Sequence, residues 1–130
     1  MSGAARAGRF SLERHRLKRS DFTRVYKRGR RARGPAFSVV VLENGLEHGR
    51  LGLSVSKRHA KLAVDRNRVR RLFREAFRLE REALPTGLDV VMIATVPGLV
   101  PRLADLRPQL VEQVNRAWRK KPRPSEGAAS

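Results

Sequence analysis

Residues 63–81, AVDRNRVRRLFREAFRLER, decide how the rest of the chain is read. Val69, Leu72, Phe73, Ala76 and Phe77 recur at i, i+3, i+4, i+7 and i+8, the spacing of one buried stripe on a helix. At about 100° per residue from Val69, the side chains of Asn67, Arg70, Arg71, Arg74, Arg78 and Arg81 fall at roughly 100–200°, on the opposite side. Arg66 and Arg68 flank the stripe at the first turn, and Asp65 is the expected N-cap. Cations at a helix start face the positive end of its dipole, an unfavourable placement for stability alone. The acidic residues Glu75, Glu80 and Glu82 all lie farther along. A fan of guanidinium groups beside free backbone N–H groups suits phosphate, so the helix reads as a nucleic-acid contact surface rather than a solvated face.

Composition points the same way. The chain has 130 residues, with 30 Lys and Arg against 12 Asp and Glu, a net charge of +18. Such self-repulsion destabilises a compact state unless the partner is a polyanion. The length suits one domain. A membrane partner is not expected: the longest mainly apolar run, Leu88 to Ala94, is only strand length, and no lipidation motif is present. The first ten residues carry charge but no apolar h-region, so no secretory signal is expected there. With no cysteine, disulfides and Cys-based zinc sites are excluded, which fits a reducing cytoplasm. Three segments are expected: a flexible basic start at 1–10, a single RNA-binding α/β domain at 11–119, and a disordered tail at 120–130.

On the N-terminal side of the helix, Ser20 can cap a short helix that carries Asp21 in its first turn, with Phe22, Val25, Tyr26 and Leu17 as its apolar side and Gly29 as its stop. Phe22 and Tyr26, at i and i+4, are either core or platforms on which unpaired bases stack. Arg28, Arg30, Arg31 and Arg33 read as a loop over phosphates. Ala36 to Leu42 is a strand with Phe37, Val39 and Val41 on one face. Asn44-Gly45 marks a hairpin connection to a second strand, Arg50 to Ser56. There Leu51, Leu53 and Val55 face inward, and Gly52, Ser54 and Ser56 form a small, polar face that suits the floor of a shallow groove. Lys57 and Arg58 follow beside the helix. His48 and His59 read as exposed loop residues, with no Cys or converging carboxylate to make a metal site.

On the C-terminal side, Leu88 to Thr95 should be a central strand. Asp105 should cap a last helix to Arg119, with Pro108 in its first turn and Leu106, Leu110, Val111, Val114, Ala117 and Trp118 inward. The order helix, strand, strand, helix, strand, helix gives an α+β chain, a two-layer sandwich with a mixed sheet. Its strand–helix–strand step would cross over right-handed by default.

The run GLSVSKRHAKLAVDRNRVRRLFREAFR, with the earlier RLKRSDFTRVYKRG, resembles the signature segments of the bacterial ribonuclease P protein component. The resemblance spans about Arg14 to Trp118. It implies an additional strand in the sheet and a left-handed crossover. It also implies that the helix bearing Arg66-Asn67-Arg68 meets the catalytic RNA, with Arg70, Arg71, Arg74 and Lys57 in that contact, and Arg58, next to Lys57, is expected to join them. Phe22 and Tyr26 match aromatic positions lining a central cleft that holds the single-stranded 5′ leader of precursor tRNA. Arg16 matches a basic residue just before that helix. Val40 stands where some members carry an aromatic, and the Gly34-Pro35 pair is a second departure.

No paired carboxylates, His–carboxylate pair or nucleophile motif is visible, so no catalytic residue and no protein metal site are expected. The resemblance supplies the chemistry instead: the RNA subunit positions Mg²⁺ and cuts at the 5′ end of mature tRNA. The expected partners are therefore ribonuclease P RNA and the precursor tRNA leader, with no membrane and no small-molecule substrate. A small basic structural ribosomal protein is the main alternative, followed by a DNA-binding architectural protein and, last, a protein-only nuclease.

Overall fold

The computed structural model describes residues 15–98 and 100–120. The expectations for 1–10 and 121–130 lie outside these residues. The elements run α1 (Arg19–Arg28), β1 (Arg30–Arg33), β2 (Phe37–Glu43), β3 (Arg50–Ser54), α2 (Ala63–Glu80), a short 3-10 turn (Arg81–Ala83), β4 (Leu88–Ala94) and α3 (Leu103–Arg119). The strands form one mixed sheet in the order β1-β2-β4-β3.

Two sequence expectations change here. The basic run expected as a loop contains β1, which pairs antiparallel with β2; this is the additional strand that the resemblance implied. And β2 and β3 are not a hairpin, because β4 lies between them, antiparallel to β2 and parallel to β3. The reason is burial. Leu88, Val90, Val91 and Met92 are buried on both faces, and such a run is best accommodated with a strand on each side.

The alternation expected for β2 holds. Phe37, Val39 and Val41 enter the main core with Leu51, Val55, Val90 and Met92. Over this face lie α2, through Val69, Phe73, Ala76 and Phe77, and α3, through Leu106, Leu110, Val114 and Ala117. Phe73 packs on Phe37 with ring centroids 5.5 Å apart. Each fully buried aromatic of this kind contributes about 1.5–3 kcal/mol by leaving water. Val111 and Trp118 are only partly buried against this core. The opposite face of the sheet carries Val40 and Val91, covered by Leu17 and Val25 with Phe22 and Tyr26 beside them.

The crossover is left-handed. Leu51 sends its side chain into the core beneath α2, while its carbonyl accepts the Leu17 N–H at 2.8 Å on the edge away from β4. For an L-residue this places β4 to the left of β3 when the sheet is seen from α2 with β3 running upward. The β3–α2–β4 step therefore departs from the usual right-handed rule.

Helix ends also differ from expectation. The N-caps are Lys18, Leu62 and Arg102, none with a side-chain cap bond. Asp65 and Asp105 instead sit in first turns, where a carboxylate favours the dipole without capping. Because α3 starts at Leu103, Pro108 lies inside the helix rather than in its first turn.

Both sheet edges are partly covered. On β1, Arg116 Nη2 donates to the Arg33 carbonyl at 2.5 Å and Lys120 Nζ donates to that of Arg31. On β3, the Arg16–Leu17 segment pairs alongside Leu51. Arg30 is buried as well, stacking 4.5 Å over Trp118 and donating to the Trp118 and Lys120 carbonyls at 2.8 and 3.0 Å. It caps α3 rather than facing phosphate.

Gly29 ends α1 and turns the chain into β1 at a point with no room for a side chain. A Cβ there would lie 2.5 Å from the Val25 carbonyl oxygen, 2.5 Å from Val40 Cγ1 and 2.9 Å from the Val41 carbonyl oxygen. Gly29→Ala is expected to destabilise the fold by about 1–3 kcal/mol through overpacking, read as a lower urea midpoint with an unchanged slope.

Candidate nucleic-acid interface

A groove of about 680 Å³ runs between α1, β3 and the first turns of α2. Gly52, Ser54 and Ser56 line it as the sequence suggested, on the side of β3 away from the main core. Phe22 and Leu17 form one wall. Gly52 is needed for that wall: a Cβ there would lie 2.7 Å from Phe22 Cζ and 3.0 Å from Leu17 Cδ2. The other wall is cationic, built from Asn67, Arg70 and Arg74 of α2, and Arg16 and Arg19 also line the groove.

The arginines of α2 thus divide by angle. Those facing the groove occupy roughly the 100–160° sector from Val69, and Arg71 and Arg68 project beyond it. Arg68 and Arg71 are exposed, whereas Arg70 and Arg74 are half-buried. Arg70 donates to Asn67 Oδ1 at 3.2 Å. Burial, and then the neighbouring charges of Arg70, Arg71 and Arg16, holds Arg74 below the usual guanidinium value. Among the described residues, no carboxylate pairs with Arg16, Arg68, Arg70, Arg71 or Arg74, while Arg78 is paired with Glu75. The groove is therefore a concentration of unneutralised positive charge with an aromatic wall, an arrangement suited to a single-stranded nucleic acid.

The other predicted site residues are placed as follows. Lys57 and Arg58 are exposed in the turn after β3. Arg66 donates to the Ala60 and Lys61 carbonyls at 3.0 and 2.9 Å, so it also fastens the loop that leads into α2. Tyr26 meets Phe22 edge-on at 6.1 Å, with the Arg31 guanidinium 5.7 Å from its ring, and is half-buried one turn along α1. Val40 is fully buried beneath α1 and does not line the groove. His59, expected to be exposed, is buried, and its N–H bonds back to the Ser56 carbonyl at 3.0 Å. His15, not singled out from the sequence, lines the groove and meets the His48 ring at 5.1 Å.

Sequence reasoning also missed Asp89. Its side chain is fully inaccessible, on the sheet face under α1. It accepts from Arg50 Nε and Nη2, each at 2.8 Å, from Arg24 Nη2 at 2.8 Å and from Asn44 Nδ2 at 2.9 Å. Burial pushes its carboxyl up, but the hydrogen bonds from Arg50, Asn44 and Arg24 outweigh that and hold it below the usual carboxylate range. The available signal was a lone acidic residue in LDVVMIAT, which is costly in a buried strand unless cations converge on it.

Among the described residues, no group of three or more His, Cys, Asp or Glu is gathered so as to hold a metal ion. Among them, too, no helix is long and apolar enough to cross a membrane.

The chain is similar to known proteins in sequence and in fold. The family model described as Ribonuclease P matches residues 10–120. The ribonuclease P protein component of Aliivibrio salmonicida is 37% identical over 118 residues, covering 91% of this chain and 97% of the relative. That of Desulfotalea psychrophila is 44% identical over 96 residues, 67% of this chain and 77% of the relative. Among solved structures, the RNase P protein from Thermotoga maritima superposes with a TM-score of 0.70 at 30% identity, covering 78% of this chain and 96% of that one. The Staphylococcus aureus protein gives 0.68 at 31% identity, with 79% and 94% covered.

Proposed function

Since this chain belongs to the ribonuclease P protein family, we propose that its groove carries the single-stranded 5′ leader of precursor tRNA while the outer arginines of α2 grip the catalytic RNA. Membership alone sets aside the structural ribosomal protein. Arg68 and Arg71, exposed and unpaired by carboxylates among the described residues, are the contacts assigned to the RNA subunit, with Lys57 and Arg58 beside them. Arg16, Phe22, Arg70 and Arg74 face the leader, and Tyr26 extends the aromatic side. The observation that carries this reading is the pairing of an aromatic wall with a cationic wall across a floor of Gly52, Ser54 and Ser56.

The protein's work is electrostatic and geometric. It lowers the repulsion between two polyanions and holds the leader extended, so that precursor outcompetes leaderless product. The cut is assigned to the RNA subunit, whose Mg²⁺ would activate water and stabilise the leaving oxygen. The cytoplasm, where precursor tRNA is made, is the assigned compartment, in keeping with a chain that has no cysteine.

Reconstitution tests the reading: added to ribonuclease P RNA at low Mg²⁺, the protein should promote release of a 5′ leader. Cleavage that proceeds identically without it would refute the assignment. For the aromatic side, a stacked base is worth about 1–3 kcal/mol. Tyr26→Ala should therefore weaken binding of leader-bearing substrate by about fivefold or more while sparing mature tRNA. Equal losses for the two would make Tyr26 a packing residue.

A further inference from the structure

The aromatic wall of the groove stands on α1, and the packing of α1 is asymmetric. One flank carries Phe22, whose ring lies over Gly52. The other flank carries Asp21 and Arg24, which reach the row Leu42–Asp89–Arg50 one step farther along the sheet. There Arg24 Nη2 bonds Asp89 Oδ2 at 2.8 Å, Arg50 Nη1 lies 3.7 Å from Asp21 Oδ2, and Arg50 also grips Asp89 through two hydrogen bonds. Two carboxylates thus alternate with two guanidinium groups between the helix and the strands below it.

Among the described residues, the apolar seal on this face is small: its fully buried members are Leu17, Val25, Val40 and Val91, with Phe22, Tyr26, Leu42 and Ile93 partly buried against them. So small an apolar contact, without directional bonds, permits a helix to slide or roll. Ion pairs with hydrogen-bond geometry resist that motion.

We propose that Asp89, through Arg24 and Arg50, is a positioning residue for leader recognition: it locks the roll of α1 and thereby sets the distance of Phe22 from the cationic wall. The proposal rests on the leader reading above and adds to it residues that touch no RNA. None of the hub side chains comes from α2, so the contact with the catalytic RNA does not depend on the hub.

The test uses holoenzyme reconstituted with ribonuclease P RNA. Two quantities are measured: affinity for the RNA subunit, and selectivity for leader-bearing over leaderless tRNA. Asp89→Asn is the direct variant, but it disturbs a buried charge and can unfold the chain. Arg24→Met is gentler, because Arg50 and Asn44 still satisfy Asp89. Arg24→Met should lower selectivity by about threefold to fivefold, the size expected of one half-exposed charge pair, with RNA-subunit affinity unchanged. Arg24→Lys should recover part of the loss. Phe22→Ala is the reference, expected to lose about fivefold or more in selectivity. Wild-type selectivity in Arg24→Met alongside a loss in Phe22→Ala overturns the hub and leaves the leader reading standing. Wild-type selectivity in both overturns the two together. A parallel fall in selectivity and RNA-subunit affinity for Arg24→Met would reduce the hub to general stability and overturn it as a positioning device.

Discussion

Asp89→Asn is expected to destabilise the domain by about 3 kcal/mol, one of the largest effects of any single change. Removing one partner from a buried ion pair leaves the others uncompensated, at a cost of about 3–5 kcal/mol. The lower end applies because Arg24 and Arg50 keep 36% and 20% of their side chains exposed and can recover some hydration. The effect has a pH signature. The folded-state carboxyl of Asp89 is held below its usual value. Its contribution is therefore complete above the unfolded value of about 4 and is lost as pH falls through the folded value. Urea unfolding should show a wide gap between wild type and Asp89→Asn at neutral pH that narrows below about pH 4. A gap that stays constant into acid would mean that the carboxylate charge is not what stabilises this site.

The second large effect concerns RNA. Replacing both Arg68 and Arg71 by alanine should weaken holoenzyme assembly and flatten its dependence on salt by about two units of logarithmic slope, about one for each phosphate left without its arginine. Stability should barely change, because both side chains are exposed and neither makes an ion pair among the described residues. An unchanged slope in the double variant would remove this side of α2 from the RNA interface. Arg66→Ala should behave differently. Its bonds to the Ala60 and Lys61 carbonyls mean that its loss also loosens the loop before α2.

Period and spacing made much of this legible. The stripe Val69, Phe73, Ala76, Phe77 and the alternation Phe37, Val39, Val41 needed no tertiary information, and both are core in the structure. The small face of β3 as a groove floor was readable for the same reason. The left-handed crossover and the additional strand came from resemblance, because local propensity carries no information about either. β1 was hidden by its composition: Arg30-Arg31-Ala32-Arg33 has no apolar alternation, and the strand is held by Arg116 and Lys120 side chains that reach its carbonyls and by its own Arg30 side chain, which reaches the Trp118 and Lys120 carbonyls, all 83 to 90 residues away in sequence. The Asp89 hub was hidden likewise, since Arg24, Asn44 and Arg50 converge on it only once the sheet is ordered. The helix starts were misplaced because Asp65 and Asp105 have the chemistry of a cap but stand three positions inside.

The two covered flanks of the sheet restrict how this molecule meets others. The Arg31 and Arg33 carbonyls are taken by Lys120 and Arg116, and the Leu51 carbonyl by Leu17, so each border has main-chain acceptors already engaged. A second copy or a guest peptide that added a strand at either border would first have to displace these bonds. Between successive RNA engagements, the bare polypeptide is thereby less open to growth into fibres.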